Sequence, residues 1–210
     1  MMLKHIVVEG PIGVGKTTLT HRLAEEFGFD VLLEQPTENP FLARFYDNPD
    51  QFALQTQLYF LFQRVKQLRT LGQDDMFSRG VISDFMLEKD PLFAELTLAT
   101  DELDLYQEVY HSLSLQVPVP DLVVYLQAGR ETLQRRILRR GIDYERKISP
   151  EYLLSLADAY SQFFLNYYNA PMLIVNAENL NFLESDEHLA MLVEQIRNAG
   201  QGRQYFNPMI

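Results

Sequence analysis

The stretch Gly10-Pro11-Ile12-Gly13-Val14-Gly15-Lys16-Thr17-Thr18 constrains the fold of this chain more than any other. It follows the apolar run Ile6-Val7-Val8 and leads into the helical pattern Leu19, Leu23, Ala24, Phe27, so it joins a buried strand to a helix. The spacing GxxxxGK[ST] lets backbone N–H groups turn inward around an anion held at a helix N-terminus. Gly10, Gly13, Val14, Gly15, Lys16, Thr17 and Thr18 are therefore the expected residues for ATP. Lys16 reaches the β- and γ-phosphates, and the Thr17 hydroxyl supplies one ligand of a bridging magnesium ion. A tight strand-to-helix turn with an incidental lysine would need neither the full glycine spacing nor the hydroxyl.

Such a loop belongs in an α/β sheet, and 210 residues with 47% apolar content fit one domain over 1–210 that buries a sizeable core. The absence of cysteine removes disulfides and thiolate metal sites. Nothing resembles a signal peptide or a long apolar span, so the expectation is a soluble, cytoplasmic protein away from membranes. A net charge of −11 argues against a polynucleotide partner, because affinity for a phosphate backbone comes from Lys and Arg. Yet seven of the 18 basic residues lie between Arg130 and Lys147, a local anion clamp on an acidic chain. A solvated helix face is the plainer reading of that cluster.

Along the chain, Val31-Leu32-Leu33 reads as a second strand that stops at Glu34. Ligands of open parallel sheets collect beyond the carboxyl ends of the strands, which makes Glu34 a candidate general base. After Asn48-Pro49-Asp50 a long helix runs from Phe52 to Leu71, and Gln57 and Arg64, two turns apart, share one of its faces. A bidentate amide and a guanidinium on an apolar face suit recognition of a flat heterocycle. Gly80-Val81-Ile82-Ser83 reads as a third strand ending at Asp84, where a carboxylate orienting magnesium belongs. Asp90 starts a further helix, and as a first-turn acid it would stabilise that helix whatever else it does.

Leu122-Val123-Val124-Tyr125-Leu126 is a fourth strand. The following helix from Glu131 carries Arg135, Arg136, Arg139 and Arg140 and breaks at Gly141. The charged segment before Ser149-Pro150-Glu151 then suits a mobile lid, about 135–148, over a triphosphate. Met172-Leu173-Ile174-Val175 is a fifth strand and Asp186 to Arg197 the final helix. The tail from Gly200 to Ile210 carries no element signal.

Taken together, these motifs and their order resemble the deoxynucleoside kinase family, especially its bacterial deoxyadenosine and deoxyguanosine kinase branch, over nearly the whole chain. The carboxylate and Pro-rich Asn-Pro segment after the second strand look like Glu34 to Phe41, although the family's Glu-Pro is here Glu34-Gln35-Pro36. The resemblance implies that Glu34 is the base and that Tyr46 meets the sugar 3′-hydroxyl together with Glu145 of the lid. It also implies that Gln57, Arg64 and Asp90 read the nucleobase, and that the assembly is a homodimer. The expected fold is thus a P-loop NTPase fold: a doubly wound, five-stranded parallel sheet with helices on both faces. The expected reaction moves the γ-phosphoryl group of ATP to the 5′-hydroxyl of a deoxyribonucleoside, with purines favoured. Lys16, Arg136 and Arg140 would balance the developing charge, and Thr17 and Asp84 would position Mg2+.

Two departures from the family stand out. Asp84-Phe85-Met86 lacks the arginine that usually follows the acid, and Arg140-Gly141-Ile142 lacks the second arginine of the lid. Arg139, Arg146 and Lys89 are the cations available to take over, with the lid arginines preferred because a flexible segment reaches the phosphates on closing. The alternatives are a nucleoside monophosphate kinase of the thymidylate type and a nucleotide-binding regulator with weakened catalysis. Glu34 beside the acceptor disfavours the first, since a carboxylate there repels a phosphate monoester.

Overall fold

The computed structural model of the chain describes residues 3–71, 79–114, 117–182 and 184–208; the other positions of the expected 1–210 span lie outside these. Six strands form one parallel sheet: β1 (His5–Glu9), β2 (Asp30–Leu32), β3 (Val81–Ser83), β4 (Leu122–Gln127), β5 (Met172–Asn176) and β6 (Arg203–Phe206), in the order β2-β3-β1-β4-β5-β6. From β1 the chain winds outward to β2, returns to β3, and then crosses β1 to build β4, β5 and β6 on the other side. The reversal falls between β1 and β3, whose register pairs Ile6 with Ile82, and a crevice opens there at the carboxyl ends of the strands.

The central strands alternate between two buried layers, as a two-residue side-chain period requires when both faces are covered. Ile6, Val8, Val124, Leu126, Leu173 and Val175 point to the layer shared with Leu19 and Leu23 of α1 (Lys16–Phe27), Leu133 and Ile137 of α6 (Arg130–Arg140), and Leu192 and Ile196 of α8 (Asp186–Arg197). Val7, Val123, Tyr125, Met172 and Ile174 face the other layer, with Leu156, Tyr160 and Phe164 of α7 (Pro150–Leu165). Further helices extend that side: α2 (Leu42–Asp47), α3 (Pro49–Leu71), α4 (Asp90–Thr97) and α5 (Thr100–Ser114). Leu61, Val65 and Leu68 of α3 enclose an apolar cluster with Tyr106 of α5, Ala94 and Phe85.

The sheet has six strands where five were expected. The added strand, β6, comes from the tail, pairing Met172 with Arg203 and Val175 with Phe206. Only Phe206 of its four residues is buried, so it carries no apolar run, and its pairing with β5 defines it. The helix boundaries follow local chemistry. Gly141 ends α6 in the left-handed region at φ 71°, and the Ser149 hydroxyl caps α7 by accepting from the Tyr152 N–H at 3.0 Å. Among the described residues no helix is long and apolar enough to cross a membrane.

Candidate active site

The glycine loop follows β1, and two of its glycines are required by contact as well as by backbone angle. Gly10 has φ +148°, and a Cβ there would lie 2.4 Å from the Leu126 carbonyl oxygen. Gly13 has φ +85°, and its Cβ would lie 2.8 Å from the Leu133 carbonyl oxygen. The Lys16 ammonium donates to the carbonyls of Gly10 at 2.7 Å and Pro11 at 3.3 Å, closing the loop on itself. Burial and the nearby Lys89 lower the Lys16 pKa, against the pull of Glu9, Glu34 and Asp84. The Thr17 hydroxyl donates to Asp84 Oδ2 at 2.6 Å, so the two expected magnesium ligands come together at the ends of β1 and β3. Both offer oxygen, the donor a small hard cation takes, so the pair would suit Mg2+. Burial pushes the Asp84 carboxyl up, opposed by its bonds from Thr17 and from the Glu34 N–H at 2.7 Å.

Glu34 lies just past β2 and faces the same crevice. Arg64 Nε of α3 donates to Glu34 Oε1 at 2.7 Å, and Nη2 closes on the same oxygen. Arg64 Nη1 pairs with Asp90 Oδ1 at the start of α4, and the guanidinium rests on the Phe60 ring. Burial opposes ionisation of Glu34, yet the cations of Arg64, Lys89 and Lys16 hold its carboxyl at about 2. The group is therefore ionised at neutral pH, as a proton acceptor must be. Gln57 is buried one face along α3 and donates to the Thr97 hydroxyl of α4 at 3.3 Å. Gln57 and Arg64 thus both lie along the seam between α3 and α4, Arg64 against Asp90 at the start of α4 and Gln57 against Thr97 at its end.

A second group sits between α2 and the 3-10 turn Asp143–Lys147 after α6. Tyr46 stacks on Tyr144 at 6.0 Å, and Glu145, buried, forms a two-pronged pair with Arg140 whose Nε–Oε2 distance is 2.9 Å. Burial, with Tyr152, Glu145 and Tyr144 nearby, holds the Tyr46 phenol protonated well above its ordinary pKa. It is fit to donate to a hydroxyl.

One placement differs from the sequence expectation, and two more bear on the missing arginine. Arg136, expected beside the transferring group, instead donates to the carbonyls of Val14, Ala177 and Leu180, each at 2.9 Å, tying the glycine loop to the segment after β5. Arg139 and Arg146, the expected replacements for the missing arginine, are exposed and paired with Glu184 and Asp143. Phe85 is fully buried in the apolar cluster of α3 and α5, so its side chain packs and does not face the carboxylate.

One charged residue, Glu9, was not singled out, and Lys89 stood only behind the lid arginines as a candidate cation. Glu9, the last residue of β1, and Lys89, before α4, are both buried and pair at 2.9 Å, with Lys89 Nζ also 3.5 Å from Glu34 Oε1. The rule that marked Glu34 and Asp84, an acid ending a strand beside the loop, applies equally to Glu9. Lys89 carries no such signal.

Comparisons with known proteins identify the family and the fold. The family model described as deoxynucleoside kinase matches residues 6–199. Deoxyguanosine kinase of Bacillus subtilis is 40% identical over 157 residues, covering 74% of this chain and 75% of that protein. Deoxyguanosine kinase of Lactobacillus johnsonii is 31% identical over 205 residues, covering 91% and 90%. The solved structure of deoxyadenosine kinase from M. mycoides with bound dATP superposes with TM-score 0.80 at 25% identity, covering 92% of this chain and 99% of that one. On the sequence matched and the site assembled between β1, β2 and β3, the chain belongs to the deoxynucleoside kinase family.

Proposed function

We propose that this kinase transfers the γ-phosphoryl group of ATP to the 5′-hydroxyl of a purine deoxynucleoside, deoxyguanosine first. The observation that carries the reading is Glu34: a carboxylate just past β2 bonded by Arg64, which also pairs with Asp90, and 3.5 Å from Lys89 Nζ. A hydroxyl acceptor placed at Glu34 has its base in reach and its nucleobase directed toward Gln57, Arg64 and Asp90. A guanine edge offers N–H donors to the Asp90 carboxylate and a carbonyl to Gln57 or Arg64. Tyr46 and Glu145 take the 3′-hydroxyl.

In the transfer, the 5′-oxygen forms its bond to the γ-phosphorus as the bond to the β,γ-bridging oxygen breaks, and the hydroxyl proton passes to Glu34. Lys16 exchanges its loop carbonyls for phosphate oxygens, and Arg140 adds positive charge from the segment 135–148, which closes as a lid. Thr17 and Asp84 would hold a magnesium ion, which would supply positive charge toward the triphosphate. Arg136 acts indirectly, by fixing the glycine loop. A homodimer belongs to the same proposal.

Glu34→Gln keeps the shape of the side chain and removes its basicity. Turnover of deoxyguanosine is expected to fall by about 10²–10⁴-fold while the KM for ATP stays within about twofold. Steady-state kinetics that left turnover near the wild-type value would remove Glu34 from the reaction.

A further inference from the structure

Lys89 ends the 3-10 turn Leu87–Lys89 that leads into α4, and it is 1% exposed. A lysine ammonium is strongly hydrated and donates in three directions, so it stays inside only where carboxylates replace the water. Two carboxylates do so here. Nζ lies 2.9 Å from Glu9 Oε1 and 3.5 Å from Glu34 Oε1.

Glu9 is well supplied without reaching further. Its Oε2 accepts from the Gly10 N–H at 2.9 Å and from the Tyr160 hydroxyl at 3.2 Å, and its Oε1 from the Met86 N–H at 3.1 Å. A lysine serving only as counter-ion to Glu9 would have no reason to stand beside a second carboxylate that already has Arg64. At Glu34, the contacts of both cations fall on one oxygen: Arg64 reaches Oε1 from α3, and Lys89 reaches Oε1 from the start of α4.

We propose that Lys89 is a positioning residue of the acceptor site: together with Arg64 it pins Oε1 of Glu34, leaving Oε2 for the acceptor hydroxyl, and through Glu9 it fixes that carboxylate relative to the first glycine of the phosphate loop. The inference rests on the kinase reading above and adds the device that aligns donor and acceptor. It also places the needed cation on a buried turn. The exposed arginines of the 135–148 segment are not required for it.

A buried charge pair confounds folding with function, so the test separates them with a double substitution. Lys89→Met leaves Glu9 buried without its cation and is expected to melt at a lower temperature. Glu9→Gln/Lys89→Met removes both charges and is expected to recover the melting temperature of Glu9→Gln. If Lys89 positions Glu34, kcat for deoxyguanosine in the double variant stays more than about tenfold below that of Glu9→Gln, with the KM for ATP within about twofold. If Lys89 is only the partner of Glu9, the double variant has the kcat of Glu9→Gln, and the proposal is overturned. Glu9→Gln/Lys89→Gln, an amide pair across the same gap, serves the same comparison where Met does not pack. A wild-type chain that phosphorylated no deoxynucleoside would overturn the kinase reading alone. Calorimetric binding of deoxyguanosine then decides this one: more than about fivefold weaker binding by the double variant than by Glu9→Gln supports it, and equal binding overturns it.

Discussion

His5, at the start of β1, illustrates how single residues here are governed by partners far away in sequence. Its Nε2 lies 3.0 Å from the Ser83 hydroxyl, and its Nδ1 is enclosed without a hydrogen-bond partner. Burial lowers its pKa from 6.5 to about 4, with the nearby Asp121 pulling the other way. The folded state therefore keeps the imidazole neutral where the unfolded chain protonates it. Between those values the unfolded state binds more protons, so stability rises with pH: this contribution is complete above about 6.5 and is lost as pH falls toward 4. The loss is about 2–3 kcal/mol at most. Urea unfolding at pH 7.5 and 4.5 should show the wild type losing about 2 kcal/mol more than His5→Asn; equal losses would mean that the imidazole is solvated. The same distance in sequence explains which site residues could be read in advance. Glu34 and Asp84 end strands, and Gln57 and Arg64 share a helix face, both of which are local signals. Lys89, one of three candidate cations in the sequence, is held inside by Glu9 and Glu34 across the crevice, partners that its immediate neighbours do not mark.

Among the elements, those with a strong local period were legible. β1, β4 and β5 are buried on both faces and read as continuous apolar runs, while α3 shows a long stretch free of glycine and proline. β6 was not legible, because an edge strand needs only one buried side chain to hold it. Arg203 instead anchors its start, donating to the carbonyls of Leu165 at 2.6 Å and Tyr167 at 2.9 Å beyond α7. Phe206 then closes the layer around Val175 and Ile196. α5 was not singled out, although Leu103, Tyr106, Tyr110 and Leu113 recur at helical spacing and pack into the cluster with α3. If β6 is a structural strand, Phe206→Ala should cost about 3 kcal/mol in chemical unfolding, the usual loss for a large buried ring, and leave KM values unchanged. A cost below about 0.5 kcal/mol would show the tail to be a loose appendage.

For the whole molecule, the winding order decides the chemistry. Because the chain reverses between β1 and β3, the ends of three neighbouring strands deliver Glu9 and the glycine loop, Glu34, and Asp84 to one crevice. There the cations Lys16, Arg64 and Lys89 offset the clustered acids. The net charge of −11 leaves the surface acidic, so the positive charge that an anionic donor requires is concentrated at the crevice and the segment 135–148. The donor loop is legible in the sequence itself, and the acceptor side was expected from strand-end and helix-face positions together with the family resemblance; the pairing that joins the two sides emerges only in three dimensions. Since ATP binding alone is common to many P-loop proteins, the acceptor is what separates this account from its rivals. The direct measurement offers radiolabelled ATP with each of the four deoxynucleosides and each of their 5′-monophosphates, and follows where the label goes. Label should appear in dGMP formed from deoxyguanosine, then in dAMP formed from deoxyadenosine, with the monophosphates left untouched. Label transferred to the monophosphates, or to no acceptor at all, would contradict it.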